Sequence, residues 1–484
     1  TQIVDASGTL SAKTTTYVYD DLNRLLSATV TGAANGQNGT QSYTYDAVGN
    51  LLTRSDVGSY AYNGNVGTNY ANPHAATAAG GSSFTYDQNG NLTTSAITTT
   101  ITTTPPATPA WYPSTTGLWS NRLPLTIQQT YINGTTALTN FPVLVSRTLT
   151  TLRTTTNGGN VAQTNGNDLL FTTSDGVTKL DHEIEKYDPV TGQLVAWVRI
   201  PSLSATVNTA IYLYVGNASA GNQQNPTAVW ESAYKGVWHL DENPVAVGAP
   251  ITDSTVNAYN GTPQGSIPAS ASSAAKIGQG LVFDGSNDYV NVGVASAIGS
   301  LTNNLTVSVW VRPTNLTGER RFLSPARTVS NNGFSFGSSG YYQRFATLGV
   351  RNYSVSNSLS LNNWRRIDAV MQNNNVTSYR NGISLGTVAG TTGGLANTDD
   401  TLRIGGTTLV GSSTLTQLFA GTLDELRVCQ CTRPQTWIQA EYYNQNVPTS
   451  FVTAGAIASV PVPVTTTTNV TTTYVWDYGN RLAS

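Results

Sequence analysis

YTYDAVGNL, at residues 43–51, is one copy of a nine-residue unit that determines the fold near both ends of the chain. The other copies are YVYDDLNRL at 17–25, FTYDQNGNL at 84–92 and YVWDYGNRL at 474–482. Alternate residues of a strand share one face, so the two aromatic residues of each unit project together. Asp, Asn and Gly then favour a tight turn, because they tolerate the left-handed backbone region. Each unit therefore predicts a β-hairpin with an aromatic face that stacks on its neighbours.

This recurring pattern resembles the YD-repeat family of bacterial Rhs proteins and eukaryotic teneurins. The segment NPHAAT at 72–77, which leads into the third copy, is also similar to that family. The resemblance covers residues 10–95 and 471–484 and implies a piece of a spiral β shell. The proline- and Asp-containing self-cleavage segment that ends many Rhs shells is missing from the sequence.

Two Thr/Pro-rich stretches, TTTITTTPP at 98–106 and PVPVTTTT at 461–468, are typical of stiff extended linkers. We interpret the chain as one repeat array opened to accept the residues between them, which predicts that 474–477 lie beside the strand around 84–94. The predicted segments are a YD-repeat segment at 1–97, a linker at 98–110, a β-sandwich at 111–228, a jelly roll at 229–455, a linker at 456–470 and a partial YD-repeat unit at 471–484.

Short alternating apolar runs fill residues 111–228, for example LVAWVRI at 194–200 and AIYLYV at 210–215. Turn residues separate these runs at the spacing of a β-sandwich. The segments NDLLFT at 167–172 and DHEIE at 181–185 resemble a bacterial β-sandwich domain of unknown function that commonly precedes LamG-like modules.

The runs that follow, GVWHL at 236–240, LVFDG at 281–285, LTVSVWV at 305–311 and GTLDELRV at 421–428, again indicate strands. In this order they resemble a LamG-like (laminin-G-like, concanavalin-type) jelly roll. One helix is predicted near 433–443, with Thr432 as its cap, Pro434 in its first turn, and Trp437, Ile438 and Tyr442 at amphipathic spacing. The fold class is therefore all-β, with a hairpin array and two β-sandwich domains.

Composition excludes several classes of function. Charged residues make up 10 % of the chain and the formal net charge is −2, so there is no basic surface to bind nucleic acid. No run of about 18 apolar residues predicts a membrane span. The two cysteines, Cys429 and Cys431, are too few for a structural zinc site, and we expect small side chains at a strand end rather than a disulfide-held chain. The Thr/Asn/Gly-rich composition is typical of bacterial surface proteins, so we expect an extracellular location.

No catalytic residue is predicted. Asp181, Glu183 and Glu185 alternate along a strand about 6–7 Å apart, near the spacing used by glycosidases. Concanavalin-like glucanases use the order Glu-x-Asp-x-Glu, which this segment lacks, so we expect a solvated strand face. His74, His182 and His239 adjoin no Gly-x-Ser-x-Gly motif. The chain is therefore expected not to be an enzyme.

Calcium is the cofactor that the LamG-like resemblance implies, held by oxygen ligands in loops. The candidate ligands are Asp253, Asn257, Asp284, Asp288 and Asp424, although 284–288 is equally well read as a polar turn. For a glycan, the candidate residues are Tyr341, Tyr342 and Arg344 in one loop; the alternative is that these tyrosines pack in the core.

These observations predict a non-catalytic extracellular surface or adhesin-like protein. The repeats form its scaffold, and the sandwiches bind a glycan or a surface protein. The alternative is a structural subunit of an extracellular filament, self-associating through incomplete repeats at Tyr17, Tyr19, Tyr474 and Trp476. Two further alternatives are disfavoured: a fragment of an Rhs-type toxin shell, which lacks the cleavage segment, and a glycan hydrolase, which lacks a catalytic pattern.

Overall fold

The structure is a computed structural model, and it divides into two compact units: Thr1–Pro106 with Pro461–Ser484, and Ala107–Val460. It describes residues 2–5, 13–32, 38–103, 111–113, 117–242, 249–265, 267, 272–299, 301, 304–325, 333–347, 351–355, 358–390, 401–408, 413–460 and 464–473.

The strands run through the chain with few helices. The repeat region contains β1 (Gln2–Asp5), β2 (Lys13–Tyr19), β3 (Leu25–Thr31), β4 (Gly39–Tyr45), β5 (Leu51–Arg54), β6 (Gly58–Ala61), β7 (Asn65–Val66), β8 (Asn69–Tyr70), β9 (Ala78–Ala79), β10 (Ser82–Tyr86) and β11 (Leu92–Thr103). The first sandwich contains β12 (Asn121–Ile127), β13 (Leu138–Thr148), β14 (Leu170–Thr173), β15 (His182–Asp188), β16 (Gln193–Leu203) and β17 (Thr209–Val215), followed by α1 (Pro226–Val229).

The jelly roll follows directly. Its elements are β18 (Tyr234–Trp238), β19 (Thr262–Gln264), β20 (Ser272–Ala274), β21 (Gln279–Asp284), β22 (Tyr289–Val294), α2 (Ser296–Gly299), β23 (Leu305–Pro313), β24 (Glu319–Pro325), β25 (Phe334–Ser339), β26 (Tyr342–Thr347), β27 (Arg351–Val355), β28 (Arg365–Gln372), β29 (Asn375–Arg380), β30 (Ile383–Val388), β31 (Thr401–Ile404), β32 (Thr407–Thr408), β33 (Leu415–Thr416) and β34 (Ala420–Cys429). The chain then forms α3 (Gln435–Asn446), α4 (Pro448–Phe451), β35 (Val452–Ala454), β36 (Ala458–Ser459) and β37 (Val464–Thr473).

The repeat region is a ten-stranded sheet in the order β1-β2-β3-β4-β5-β6-β9-β10-β11-β37. Three copies of the nine-residue unit share one turn geometry. Oδ1 of Asp20, Asp46 and Asp87 accepts hydrogen bonds from the backbone N–H groups two and four residues later, at 2.7–3.0 Å. The aspartate thus fixes each turn, as its tendency to bond its own downstream backbone predicts.

The predicted linkers need correction, because their threonine tracts are paired strands. β11 pairs antiparallel with β37, from Thr94 opposite Thr473 to Thr103 opposite Val464. Threonine is β-branched and suits a pleated strand, so the composition that we interpreted as a linker also favours paired β-strands. The predicted position of Tyr474 and Trp476 lies outside the described residues.

The first sandwich has a five-stranded sheet, in which β14, β17, β12 and β35 are neighbours and β36 also pairs with β12, and a three-stranded sheet β13-β16-β15. β35 and β36 reach β12 from the far end of the unit, with Thr453 opposite Thr126 and Ala458 opposite Arg122. Residues 452–459, which we expected in the jelly roll and the second linker, therefore complete the first sandwich.

The jelly roll stacks an eight-stranded sheet on a seven-stranded one. The first has the order β20-β21-β34-β23-β28-β29-β30 with β18 on β34, and the second β19-β22-β31-β24-β25-β26-β27. A core of buried apolar side chains from both sheets, among them Val309, Phe322, Phe336 and Phe345, lies between them. The predictions of a mostly β chain and of a concanavalin-like jelly roll are confirmed.

Helix α3 is the only helix longer than four residues in the part of the chain that the structure describes. Its N-cap position is Pro434, with no side-chain cap, so the cap predicted at Thr432 is wrong. No helix among the described residues has the length and apolar character needed to cross a membrane. At the end of β34, Cys429 and Cys431 form a disulfide, which corrects the expectation of two unlinked small side chains.

Candidate ligand-binding face

Strand register in the seven-stranded sheet sorts its side chains into two faces. Val290, Ile404, Leu323, Phe336 and Phe345 pair in sequence across five strands and point into the core. Because side chains alternate along a strand, the neighbours of these residues point away from the core. We call this opposite side the outer face; it includes Tyr289, Asn291, Glu319, Arg321, Tyr342, Arg344 and Arg403.

Tyr342 and Arg344, two of the three predicted glycan residues, lie two positions apart on β26 and share the outer face. The Tyr342 side chain is 48 % exposed, so the alternative that it packs in the core is wrong for this residue. Arg344 forms an ion pair with Glu319, which also accepts a hydrogen bond from Arg321 at 2.8 Å. The face therefore combines an aromatic ring with charged groups held in place.

The third predicted residue, Tyr341, lies in the turn before β26 and is 50 % exposed. Its backbone carbonyl accepts hydrogen bonds from the N–H groups of Ser358 and Leu359 at 3.2 and 3.1 Å. These hydrogen bonds hold the backbone that carries the two tyrosines, so little conformational entropy is lost when a ligand binds there.

Sequence reasoning missed Arg403 on this face. Arg403 on β31 lies between Asn291 and Ser324 in register, and its guanidinium carbon is 5.8 Å from the centre of the Tyr289 ring. Only strand register places these residues in one row, and a single sequence with long gaps between strands does not reveal register.

The five predicted calcium ligands do not meet at one point. Asp253 accepts a hydrogen bond from the N–H of Val237, and Val237 is paired with Arg427 on β34. Asp284 is paired with Ala420, at the other end of the same strand. Ala420 and Arg427 are seven positions apart on β34, so the places where Asp253 and Asp284 attach to this strand are roughly 23 Å apart. Asp253 binds its own loop through Thr255 and Tyr259, with Asn257 nearby at Thr255.

The other candidate ligands also have local partners. Oδ1 of Asp284 accepts the N–H groups of Ser286 and Asn287, and Oδ2 of Asp288 accepts that of Asp284, which fits the polar-turn alternative. Asp424 instead accepts the N–H groups of Lys276 and Ile277 at 3.0 and 2.8 Å.

The carboxylates that we expected on a solvated strand face are mostly buried. Asp181 is 28 % exposed and pairs with Arg199, but the side chains of Glu183 and Glu185 are 12 % and 1 % exposed. The jelly roll covers them, because β15 packs against the segment that follows β18. Alternation correctly placed the carboxylates on one face. It could not show that the jelly roll covers this face.

His239 is the centre of this buried cluster. Its Nδ1 lies 2.7 Å from Oε1 of Glu425, and its Nε2 lies 3.3 Å from Oε2 of Glu183. Burial lowers the pKa of the imidazole, but the charges of Glu425 and Glu183 outweigh this effect and raise it well above its ordinary value. Burial raises the pKa of Glu185 to about 8. A histidine in the apolar run GVWHL and the glutamate of GTLDELRV were the signals that sequence reasoning passed over.

Two family models match parts of the chain. A family model described as the concanavalin A-like lectin/glucanases superfamily matches residues 284–439, and a domain of unknown function (DUF2341) matches residues 165–243. No curated protein sequence matches the chain. The jelly roll is thus similar in sequence to the concanavalin-like lectins and glucanases.

Three solved structures are similar to part of this chain. Domain 4 of AbnA, an extracellular arabinanase from Geobacillus stearothermophilus in complex with arabinotriose, is 17 % identical at a TM-score of 0.33, over 43 % of this chain and 96 % of that one. The sialidase module CBM40 of Ruminococcus gnavus, bound to α2,3-sialyllactose, is 12 % identical at 0.30, over 34 % and 96 %. The binding domain of botulinum neurotoxin serotype D/C is 13 % identical at 0.34; the match covers 44 % of this chain and about half, 53 %, of that one.

Proposed function

We propose that this chain is a non-catalytic extracellular surface protein in which a scaffold of YD-repeat-like hairpins carries a glycan-binding concanavalin-like module. The observation that carries the proposal is the outer face, where exposed Tyr342 lies beside Arg344 and its partner Glu319. An aromatic ring offers an apolar surface to the C–H face of a sugar, and fixed charged groups bind its hydroxyls.

The scaffold part of the proposal draws on the shared turn geometry of Asp20, Asp46 and Asp87. The aromatic side chains also link neighbouring hairpins: Tyr45 Oη donates to the carbonyl of Leu25 at 3.0 Å. A hairpin is marginal alone, so stacking of this kind is what makes a repeat array stable.

An extracellular location is supported by the disulfide between Cys429 and Cys431, since disulfides persist mainly in oxidising compartments. Burial of Glu183 and Glu185 argues against a glycan hydrolase. Glu183 accepts hydrogen bonds from Trp230 and Ser254, and a polysaccharide cannot reach a carboxylate enclosed between two domains.

The test is a glycan array probed with the full chain and with two variants. Tyr342→Ala removes the ring from the outer face and is expected to weaken binding at least tenfold. Tyr19→Ala is the matched control, because Tyr19 is similarly exposed, at 46 %, in the other unit. The proposal fails if no glycan binds, or if Tyr342→Ala binds as the unaltered chain does.

A filament subunit is the second candidate, and one observation favours it. Among the described residues, β1 and β37 are the end strands of the ten-stranded sheet. An edge strand has backbone groups ready to pair with another chain. Electron micrographs that show a repeating subunit contact would support this alternative.

A further inference from the structure

Three side chains from separate parts of the chain meet inside the unit of residues 107–460. Glu185 comes from the first sandwich, and His239 and Glu425 come from the jelly roll; one ligand atom of each lies within 4.8 Å of the others. His239 Nδ1 is 2.7 Å from Glu425 Oε1 and 3.8 Å from Glu185 Oε2. All three side chains are at most 6 % exposed.

Backbone irregularities direct both glutamates into this place. Glu185 is the extra residue of a β-bulge in β15. Ile184 and Lys186 on either side of it pair with Ala196 and Val195, which are consecutive in β16, so Glu185 has no partner there. Glu425 lies in a second bulge, between Asp424 and Arg427 on β34, and adopts a φ of 54°. Bulges redirect side chains next to functional sites, and a non-glycine residue in the left-handed region is costly. Two such features on one cluster indicate that the position of these carboxylates matters.

Two buried carboxylate oxygens, one in the cluster and one on the residue next to it in sequence, accept no hydrogen bond from the described residues. They are Oε1 of Glu185 and Oδ1 of Asp424, the residue before Glu425. The other oxygen of Glu185 accepts from Trp197 Nε1 at 3.0 Å. A buried carboxylate oxygen without a donor is expensive, so these atoms indicate a positively charged partner.

The surroundings orient the histidine as in known metal sites. If Nδ1 binds an ion, Nε2 keeps its proton and donates a hydrogen bond to Glu183, whose Oε2 lies 3.3 Å away. Glu183 is itself fixed by Trp230 Nε1 at 2.8 Å and by Ser254 Oγ at 2.5 Å. A carboxylate behind a metal-bound histidine sets the tautomer and raises the basicity of the ring. Arg427 holds the other oxygen of Glu425 at 2.6 Å.

We propose that His239 Nδ1 and the carboxylates of Glu185 and Glu425 bind one divalent transition-metal ion of the zinc or manganese class. One imidazole nitrogen with carboxylate oxygens suits these ions. Calcium prefers six to eight oxygen ligands and is disfavoured. The ion replaces the proton between His239 and Glu425 and joins the two sandwiches, because Glu185 belongs to one and the other two ligands to the other.

The test measures metal bound to the full chain. The purified protein is stripped with a chelator, and zinc, manganese, calcium and magnesium are added separately, followed by dialysis and elemental analysis. We expect about one equivalent of zinc or manganese to remain, and at least a tenfold loss of it in Glu185→Gln. Asp181→Asn is the matched control, since this carboxylate lies four positions earlier on the same face and is partly exposed; its metal content should not change.

X-ray absorption of the zinc-loaded unaltered chain keeps the proposal testable if Glu185→Gln fails to fold. The proposal expects one imidazole nitrogen among oxygen neighbours. It is overturned if neither zinc nor manganese remains near one equivalent, if Glu185→Gln retains the ion, or if the spectrum contains no imidazole.

Discussion

Both polar atoms of the Asn444 side chain are hydrogen-bonded to the backbone of Leu144. Oδ1 accepts the Leu144 N–H at 2.7 Å, and Nδ2 donates to the Leu144 carbonyl at 3.0 Å. Asn444 lies on α3 and Leu144 on β13, so a side chain of the helix after the jelly roll pairs with one residue on the edge strand of the first sandwich. The two sandwiches are therefore connected by specific polar contacts as well as by apolar packing.

We predict that Asn444→Ala lowers the free energy of unfolding of residues 107–460 by about 3 kcal/mol, because it leaves the buried N–H and C=O of Leu144 without partners. Chemical denaturation measures the change. Asn133→Ala is the control: its amide donates to Gln439 at an exposed position, and its removal should cost no more than about 0.5 kcal/mol. Equal losses in the two variants would contradict the assigned role of Asn444.

A buried ion-pair chain makes the second prediction. Glu441 on α3 bridges Arg366 at 2.7 Å and Arg427 at 2.9 Å, and all three side chains are at most 5 % exposed. Glu441→Gln leaves two buried guanidinium groups undercompensated, so we expect a loss of about 3–5 kcal/mol in the free energy of unfolding. Glu231→Gln, which removes the partly exposed partner of Arg433, should cost less than about 1 kcal/mol. A small effect at Glu441 would mean that the arginines have other compensation.

The sequence predicted elements more successfully than contacts between elements. Alternating apolar runs and the concanavalin-like pattern were enough for the strands, and the spacing of Trp437, Ile438 and Tyr442 was enough for α3. Each of these signals is local, since it depends on residues that are neighbours along one element. Tyr342 was predicted in a loop, but it is the first residue of β26, so its exposure on the outer face depends on strand register.

Contacts that depend on register or on a second domain could not be predicted. The strand containing Glu183 and Glu185 has its acidic residues on one side, a pattern that a solvated face and a buried charged interface share. His239 and Glu425 reach these residues only after the sandwiches pack together. The threonine tracts at 98–103 and 464–470 have the composition of a linker, and only their mutual register makes them strands.

The buried side chain of His182 makes the stability of the chain depend on pH. Burial lowers the pKa of His182 to about 4, against its ordinary value of 6.5, and its ring packs edge-on against Phe171. The unfolded chain therefore binds a proton between pH 6.5 and 4 that the folded chain does not. The stability contributed by neutral His182 is complete above pH 6.5 and decreases as the pH falls towards 4, by at most about 3 kcal/mol.

Titratable groups elsewhere also change stability in this window, so the measurement is a difference. The free energy of unfolding of the unaltered chain minus that of His182→Gln should fall as the pH decreases from 7 to 4. Since glutamine does not titrate here, groups common to both proteins cancel. A difference that stays constant across this range would show that His182 titrates alike in the folded and unfolded chains.

The last prediction concerns the pairing of β11 with β37. Strand β37 follows both sandwiches in the sequence and forms one edge of the ten-stranded sheet. Among the described residues, β37 is the only strand that pairs with Thr98–Thr103, because β10 extends no further along β11 than Ile97. Deleting residues 464–484 should therefore increase amide hydrogen exchange at 98–103, while exchange within the unit of residues 107–460 stays the same. Exchange measured by mass spectrometry reports both effects, since each peptide is followed separately.

Deleting only 474–484 is the matched control, because it leaves every paired residue of β37 in place, and it should preserve protection at 98–103. If neither deletion alters exchange at 98–103, these residues do not depend on β37 and the pairing is wrong. If protection at 98–103 instead depends on protein concentration in the unaltered chain, the partner strand comes from another copy, and the filament becomes the better account of the incomplete repeats.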